Sequence, residues 1–420
     1  MGRVLIDSGV DWIKEIPHDW NITKISQKYT LRATKVSDKV YEPLSVTYGG
    51  VVPQLENVAK TDAHDARKLV KKDDFAINSR SDRRGACGIA DRDGSVSLIN
   101  IVLKPNDNMV AKYYEFLFHS IQFGDEFYKW GHGIVDDLWT TRWQDMKNIS
   151  IPVPPLQEQQ AIADYLDKKT AEIDEAITEA KSLIDKYKAY KQSIITEAVT
   201  KGLKPDVKMK DSGIEWIGEI PGHWKMKKIK SISIFCPKDK FNYALTAIGY
   251  APMNVIKNGS IDAQIIEINK APTGLTYFAD GDIVMAKVTP CFENGNIAIA
   301  SNLYNGCALG SSELFVLRPT KIEKKFLFYS LQNEHFKAKC CSTMNGTGGL
   351  KRVSSSFVEN CAIPFPPLSE QQQIADYLDT KCSQIDPIIS QKEHLVAQLQ
   401  KYKKSIIFEY VTGKKEVPNA

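Results

Sequence analysis

The sequence predicts an α+β protein. Two globular α/β modules stand in tandem and each is followed by a long helix. The two helices pack as an antiparallel coiled coil, and the whole is a pseudo-two-fold internal duplication. Three observations carry this prediction. Residues 151–177 and 363–389 agree at 18 of 27 positions. An apolar seam at heptad spacing runs through the segment that each copy opens, 157–200 and 369–412. Short β-rich runs with turn residues between them fill the stretch before each copy.

In chain order, a tag comes first. Residues 7–25 read DSGVDWIKEIPHDWNITKI, and 211–229 read DSGIEWIGEIPGHWKMKKI. A divergent module follows each tag, over roughly 26–150 and 230–362. An Ile-Pro-x-Pro-Pro hinge then leads into each helix, and proline there imposes an extended entry. The organisation predicted is a first module over 1–150, a spacer helix over 151–202, linker, tag and second module over 203–362, and a second spacer helix with its tail over 363–420. The period, near 210 residues, is that of a domain duplication and not of a short solenoid repeat.

Segments 157–200 and 369–412 are each 44 residues, about 65 Å as helix. The seam of the first runs through Leu166, Ile173, Ile177, Ile184 and Ile194. The second offers Leu378, Ile385, Ile389, Val396, Leu399 and Ile406. Neither segment buries its seam alone, so the two are expected to pack on each other. Ser369 and Gln372 have capping-box spacing. Pro387, where the first copy has Glu175, is expected to kink or interrupt the second helix.

Composition is that of a globular chain, with 43% hydrophobic and 25% charged residues. Of the net charge of +4, the modules carry the positive part. Residues 224–362 hold 17 basic and 10 acidic groups, whereas the two helical segments together hold 11 and 15. Mildly basic modules suit a polyanion. No run of about 18 apolar residues is present, and the first residues lack the core of a secretory signal. The eight cysteines include no C-x-x-C and read as reduced thiols of a cytoplasmic protein.

Each module contains a strand, an exposed loop and a strand, over Asp74–Ala90 and Asp282–Ala300. The flanking strands match and the loops differ, which is where specificity resides on a shared scaffold. Arg80, Arg83 and Arg84 in the first loop suit guanine edges or phosphates, and Lys287, Glu293 and Asn294 in the second offer mixed donors and acceptors. A second loop lies before each hinge. It holds Trp139 and Arg142 beside Trp130-Gly131-His132-Gly133 in the first module, and Asn345, Lys351 and Arg352 around a glycine-rich run in the second. Glycine there allows close backbone approach to a ligand or simply makes a turn.

Catalytic signatures fail. There is no P-loop, no G-x-S-x-G elbow and no H-E-x-x-H. No Asn-Pro-Pro-Tyr/Phe tetrad of amino-methyltransferases occurs. The seven histidines form no i, i+4 pair, and no metal site is expected.

With both tags and both Ile-Pro-x-Pro-Pro-Leu-x-Glu-Gln-Gln hinges in duplicate, the chain resembles the specificity subunit of type I restriction-modification systems over nearly its full length. The resemblance implies two target-recognition domains, each reading one half of an asymmetric bipartite sequence in double-stranded DNA, with the helices setting the gap. It implies two methyltransferase subunits docked on the chain. Those subunits hold S-adenosylmethionine and methylate adenine after flipping it out. Restriction subunits that use ATP and Mg join for cleavage. On this reading the chain is not an enzyme, binds no cofactor itself and has no membrane partner. The alternatives are a coiled-coil scaffold and a silent specificity subunit.

Overall fold

The computed structural model describes residues 3–54, 65–134, 139–237, 246–346 and 349–418, the side chain of Ser81 excepted. It divides into two compact units, residues 1–181 with 393–420 and residues 182–392. Each unit holds one module and about half of each long helix.

The first unit is built on an antiparallel sheet of Tyr29–Leu31 (β1), Phe75–Asn78 (β2), Cys87–Ile89 (β3) and Asn100–Pro105 (β4), in the order β3-β2-β4-β1. Helices Ala111–His119 (α1) and Ile121–Lys129 (α2) follow, then the long helix Leu156–Lys201 (α3). The second unit repeats the plan. Ser233–Phe235 (β5), Ile283–Ala286 (β6), Ile297–Ile299 (β7) and Leu314–Pro319 (β8) pair in the order β5-β8-β6-β7. Lys324–Gln332 (α4), Glu334–Ser342 (α5) and the long helix Leu368–Val411 (α6) complete it.

Strands β2 and β6 are apolar along nearly their whole length because both faces of each are covered. Alternate residues serve two different cores. Phe75 and Ile77 join an aromatic cluster with Tyr29, Phe118 and Phe123 under the helices, while Ala76 packs with Val70, Val96 and Val102 on the other side. Ile283 and Met285 face Phe326 and Phe336, while Val284 faces Phe278 and Val316. The outer layer is where the modules part. In the first it is a three-stranded antiparallel sheet of Lys35–Val36, Arg67–Val70 and Gly94–Val96. In the second it has four strands, with Ala247–Ala251 running parallel to Cys307–Gly310.

A buried carboxylate opens the central hairpin in both modules. Asp74, 1% exposed, takes the guanidinium of Arg32, with Nη2 at 2.9 Å, and the Lys71 amide at 2.8 Å. Asp282, also 1% exposed, takes Arg318 at 2.7 and 2.8 Å and the Ala279 amide at 2.9 Å. Arg32 follows β1 whereas Arg318 stands on β8, so the same buried charge is neutralised from different strands.

The repeated motifs are joints. The hinge residues Ser150–Val153 pair antiparallel with Asn21–Lys24, and Ala362–Phe365 with Lys225–Lys228. The Trp20 indole donates to Glu158 at 2.8 Å and the Trp224 indole to Glu370 at 2.9 Å. Burial pushes the Glu370 carboxyl up, but hydrogen bonds from Trp224 and His223 outweigh it and hold the group below the ordinary range. The next residue, Gln159 or Gln371, is 1% exposed. It accepts from the Val110 or Glu323 amide at the start of α1 or α4, and donates to the Pro154 or Pro366 carbonyl. The Glu-Gln pair thus ties the tag, the first short helix and the hinge of each module together.

Within each unit the long helices run antiparallel. In the first, Leu166, Ile173 and Ile177 of α3 share a core with Ile406, Ile407 and Tyr410 of α6, and Lys403 reaches Asp174 at 2.6 Å. In the second, Ile195, Ala198 and Val199 share a core with Ile374, Leu378 and Cys382, and Lys191 reaches Asp386 at 2.6 Å. The two ion pairs are one contact repeated by the duplication. Along the expected seam Ile184, Ile385 and Ile389 are also buried. Ile194, Val396 and Leu399 are half-buried, and Ile195 takes the inner position beside Ile194.

Two local expectations are corrected, an interruption at Pro387 and a cap at Ser369. Helix α6 runs without interruption through Pro387. The ring lies on the exposed face, and Ile385 and Ile389 on either side are anchored in the seam, so one missing N–H is tolerated. Ser369 is not an N-cap. It lies inside the first turn, and the Pro367 carbonyl accepts the amides of Glu370 and Gln371.

Gly413 ends α6 at φ +68°, where a Cβ would meet Pro17 at 2.5 Å and Trp20 at 3.0 Å. Gly413→Ala is therefore expected to cost about 2–3 kcal/mol through left-handed strain and overpacking. A denaturant midpoint equal to that of the parent chain would contradict this docking.

Candidate nucleic-acid interface

The two loops singled out in each module are about 60 residues apart in sequence, and the fold joins them. In the first, Arg80 bridges Thr140, and the Thr141 amide donates to the Ser79 carbonyl at 2.9 Å. In the second, Val288 and Asn345 both bridge Arg352, and the Thr289 hydroxyl donates to Gly349 at 2.9 Å. Each pair forms one surface at the loop end of the β2–β3 or β6–β7 hairpin.

On the first surface Arg80, Arg83 and Arg142 are exposed. Arg83 lies 3.6 Å from Asp82. Arg84 is held by the chain: it pairs with Asp125 at 2.6 Å and lies over the Tyr128 ring at 4.1 Å. Trp139 is half-buried, with its indole donating to the Tyr128 carbonyl at 2.9 Å. A Cβ on Gly131 would sit 2.3 Å from that indole nitrogen, so this glycine admits Trp139 and not an external ligand.

On the second surface Glu293, Asn294, Asn345 and Lys351 are exposed, and Lys287 is half-buried with its ammonium 5.9 Å from the Phe315 ring. Arg352 forms a two-pronged pair with Glu313 at 2.9 and 2.8 Å. Those bonds hold the Glu313 carboxyl below its ordinary range. Lys337 on α5 reaches the loop as well, its ammonium near Gly295. Thr347 and Gly348 of the glycine-rich run lie outside the described residues.

Asp125, Tyr128, Glu313 and Lys337 were not marked by the sequence pattern. Each lies about 40 residues from the loop residue it meets, and only an unpaired acid or base near a basic loop could have hinted at them. The second surface thus mixes donors and acceptors, while the first is a cluster of arginines. Among the described residues no group of three or more His, Cys, Asp or Glu side chains is arranged to hold a metal ion, and no helix is long and apolar enough to cross a membrane. All eight cysteines are free thiols.

The model of the type I restriction modification DNA specificity domain matches residues 22–181 and again 221–396. The chain belongs to the type I restriction-modification DNA specificity family. It carries two copies of that domain in tandem. The type I restriction enzyme EcoAI specificity subunit of Escherichia coli is 36% identical over 200 residues, which is 46% of this chain and 34% of that protein. The EcoEI specificity subunit of the same organism is 33% identical over 200 residues, 33% of its length. The chain therefore spans about a third of these two relatives. The MjaVIII specificity subunit of Methanocaldococcus jannaschii aligns over 96% of this chain and 95% of its own, at 26% identity. A solved chain described under the structural basis of complex assembly and conformational transition of the type I R-M system superposes with a TM-score of 0.69. It covers 95% of this chain and 99% of its own at 15% identity, so the two share a fold.

Proposed function

We propose that the chain is the non-catalytic, DNA-reading subunit of a cytoplasmic type I restriction-modification complex. Each specificity domain reads one half of an asymmetric bipartite target, and the paired helices set the gap. Methyltransferase subunits carrying S-adenosylmethionine dock on the chain, and restriction subunits using ATP and Mg join through them. One observation carries the reading: two copies of one scaffold present different side chains from the same joined pair of loops. Arg80, Arg83, Arg142, Lys287, Asn294 and Lys351 are the residues that suit phosphates and base edges best, since they reach solvent without a tight carboxylate partner among the described side chains. Arg84 and Arg352 reach DNA only by sharing or exchanging their carboxylates.

The test is a long-read methylome of the source cell with and without this gene. Loss of one methylated bipartite motif is expected. If no motif changes, a salt-titrated DNA-binding assay with the methyltransferase subunit decides. Affinity that falls steeply with salt is expected of a DNA reader, and none is expected of a coiled-coil scaffold.

A further inference from the structure

Two loops per module carry the proposed reading, and the structure brings a third segment to each pair. In the first module Leu44–Thr47 and Gly50–Pro53 form a hairpin that turns through Tyr48 and Gly49. The Thr47 hydroxyl closes the turn, accepting from the Gly49 amide at 3.1 Å and donating to the Gly50 carbonyl at 3.0 Å. The hairpin lies against β3 so closely that a Cβ on Gly88 would stand 2.6 Å from the Gly50 Cα. The Tyr48 hydroxyl donates to the Asp82 carbonyl, between Arg80 and Arg83, at 3.4 Å. The residue is nonetheless 62% exposed.

The second module places a turn in the corresponding position. Ile256–Lys257 and Ser260–Ile261 are joined by Asn258 and Gly259, and the Gly259 amide donates to Ile297 at the start of β7 at 2.7 Å. Lys257 and Asn258 are exposed. One place on the scaffold thus carries a tethered aromatic ring in one module and an amide in the other. This is the pattern of the two loops themselves.

We propose that this turn is a third reading segment in each specificity domain: Tyr48 packs its ring on a base of one half-site, and Asn258 hydrogen-bonds a base edge of the other. The inference rests on the DNA-reading function proposed above. The phenol oxygen is anchored on the Asp82 carbonyl, so the ring is oriented before DNA arrives. Arg80 and Arg83 on either side of that carbonyl are placed for the phosphates. A ring face gains apolar contact with a thymine methyl in the major groove. An asparagine amide presents a donor and an acceptor side by side, the set that matches the adenine edge in the major groove.

The experiment uses the full chain assembled with its methyltransferase subunit and duplexes randomised in each half-site, at fixed salt. Tyr48→Ala is expected to lower affinity roughly ten-fold and to relax preference at one position of one half-site only. Asn258→Ala is expected to relax one position of the other half-site. Tyr48→Phe keeps the ring and loses the tether, so preference is retained with a smaller loss. Unchanged affinity and preference in both alanine variants, while Arg80→Ala and Lys351→Ala still weaken binding, would overturn the third segment and leave DNA reading intact. An effect in one module alone would overturn the assignment for the other. A parent complex without half-site preference would overturn both readings together.

Discussion

Replacing Asp282 by alanine is expected to destabilise the second unit by about 2–3 kcal/mol, because it removes the acceptor of three hydrogen bonds, two of them from a guanidinium. The carboxylate is 1% exposed and receives three hydrogen bonds, two from Arg318 and one from the Ala279 amide. Alanine leaves the guanidinium and the amide without that acceptor in the wall of the core. The loss should show as faster amide exchange across Ile283–Ala286, with the first unit unaffected. Adding Arg318→Leu should recover part of it, since no guanidinium then needs that acceptor. Asp74→Ala should do the same to the first unit through Arg32 and Lys71. Unchanged protection in β6 would show that the pair contributes nothing to the fold.

Lengthening both long helices by one heptad, after Lys181 and after Lys392, is expected to widen the gap between the two half-sites by about 3 base pairs. Seven residues add about 10 Å of helix, and stacked base pairs are about 3.4 Å apart. Both helices must change, because each unit pairs the first part of one with the last part of the other. A whole heptad restores the seam, so the ion pairs Lys403–Asp174 and Lys191–Asp386 remain in register. The methylated motif should keep both halves and change only its spacing. An unchanged spacing would refute the role of the helices as the spacer.

Local periodicity explains why so much of the architecture was legible beforehand. The expected helices over 157–200 and 369–412 match Leu156–Lys201 and Leu368–Val411 within a residue or so. The hairpins β2–β3 and β6–β7 stand where the sequence predicts strand, loop and strand. Such features depend on neighbours a few residues apart, and duplication let one copy be checked against the other. The interruption expected at Pro387 is absent because a proline's effect depends on which face it occupies and how firmly the flanking turns are packed. The seam shifted toward Ile195 because helix rotation is set by what lies opposite, not by the heptad alone.

Duplication, two modules, long helices and differing loops were therefore determined by the sequence itself, through repeat, period and turn chemistry. Only the tertiary structure decided which charges are spoken for. Arg84 and Arg352 read as free cations until Asp125 and Glu313, each about 40 residues distant, are brought beside them. Only the fold could likewise show that the Glu-Gln pair of each hinge ties together a tag and a helix, and that Tyr48 stands on the Asp82 carbonyl. The physical reason is the same in each case. A hydrogen bond or ion pair acts over about 3 Å, and the chain alone does not say which distant residues will come within it.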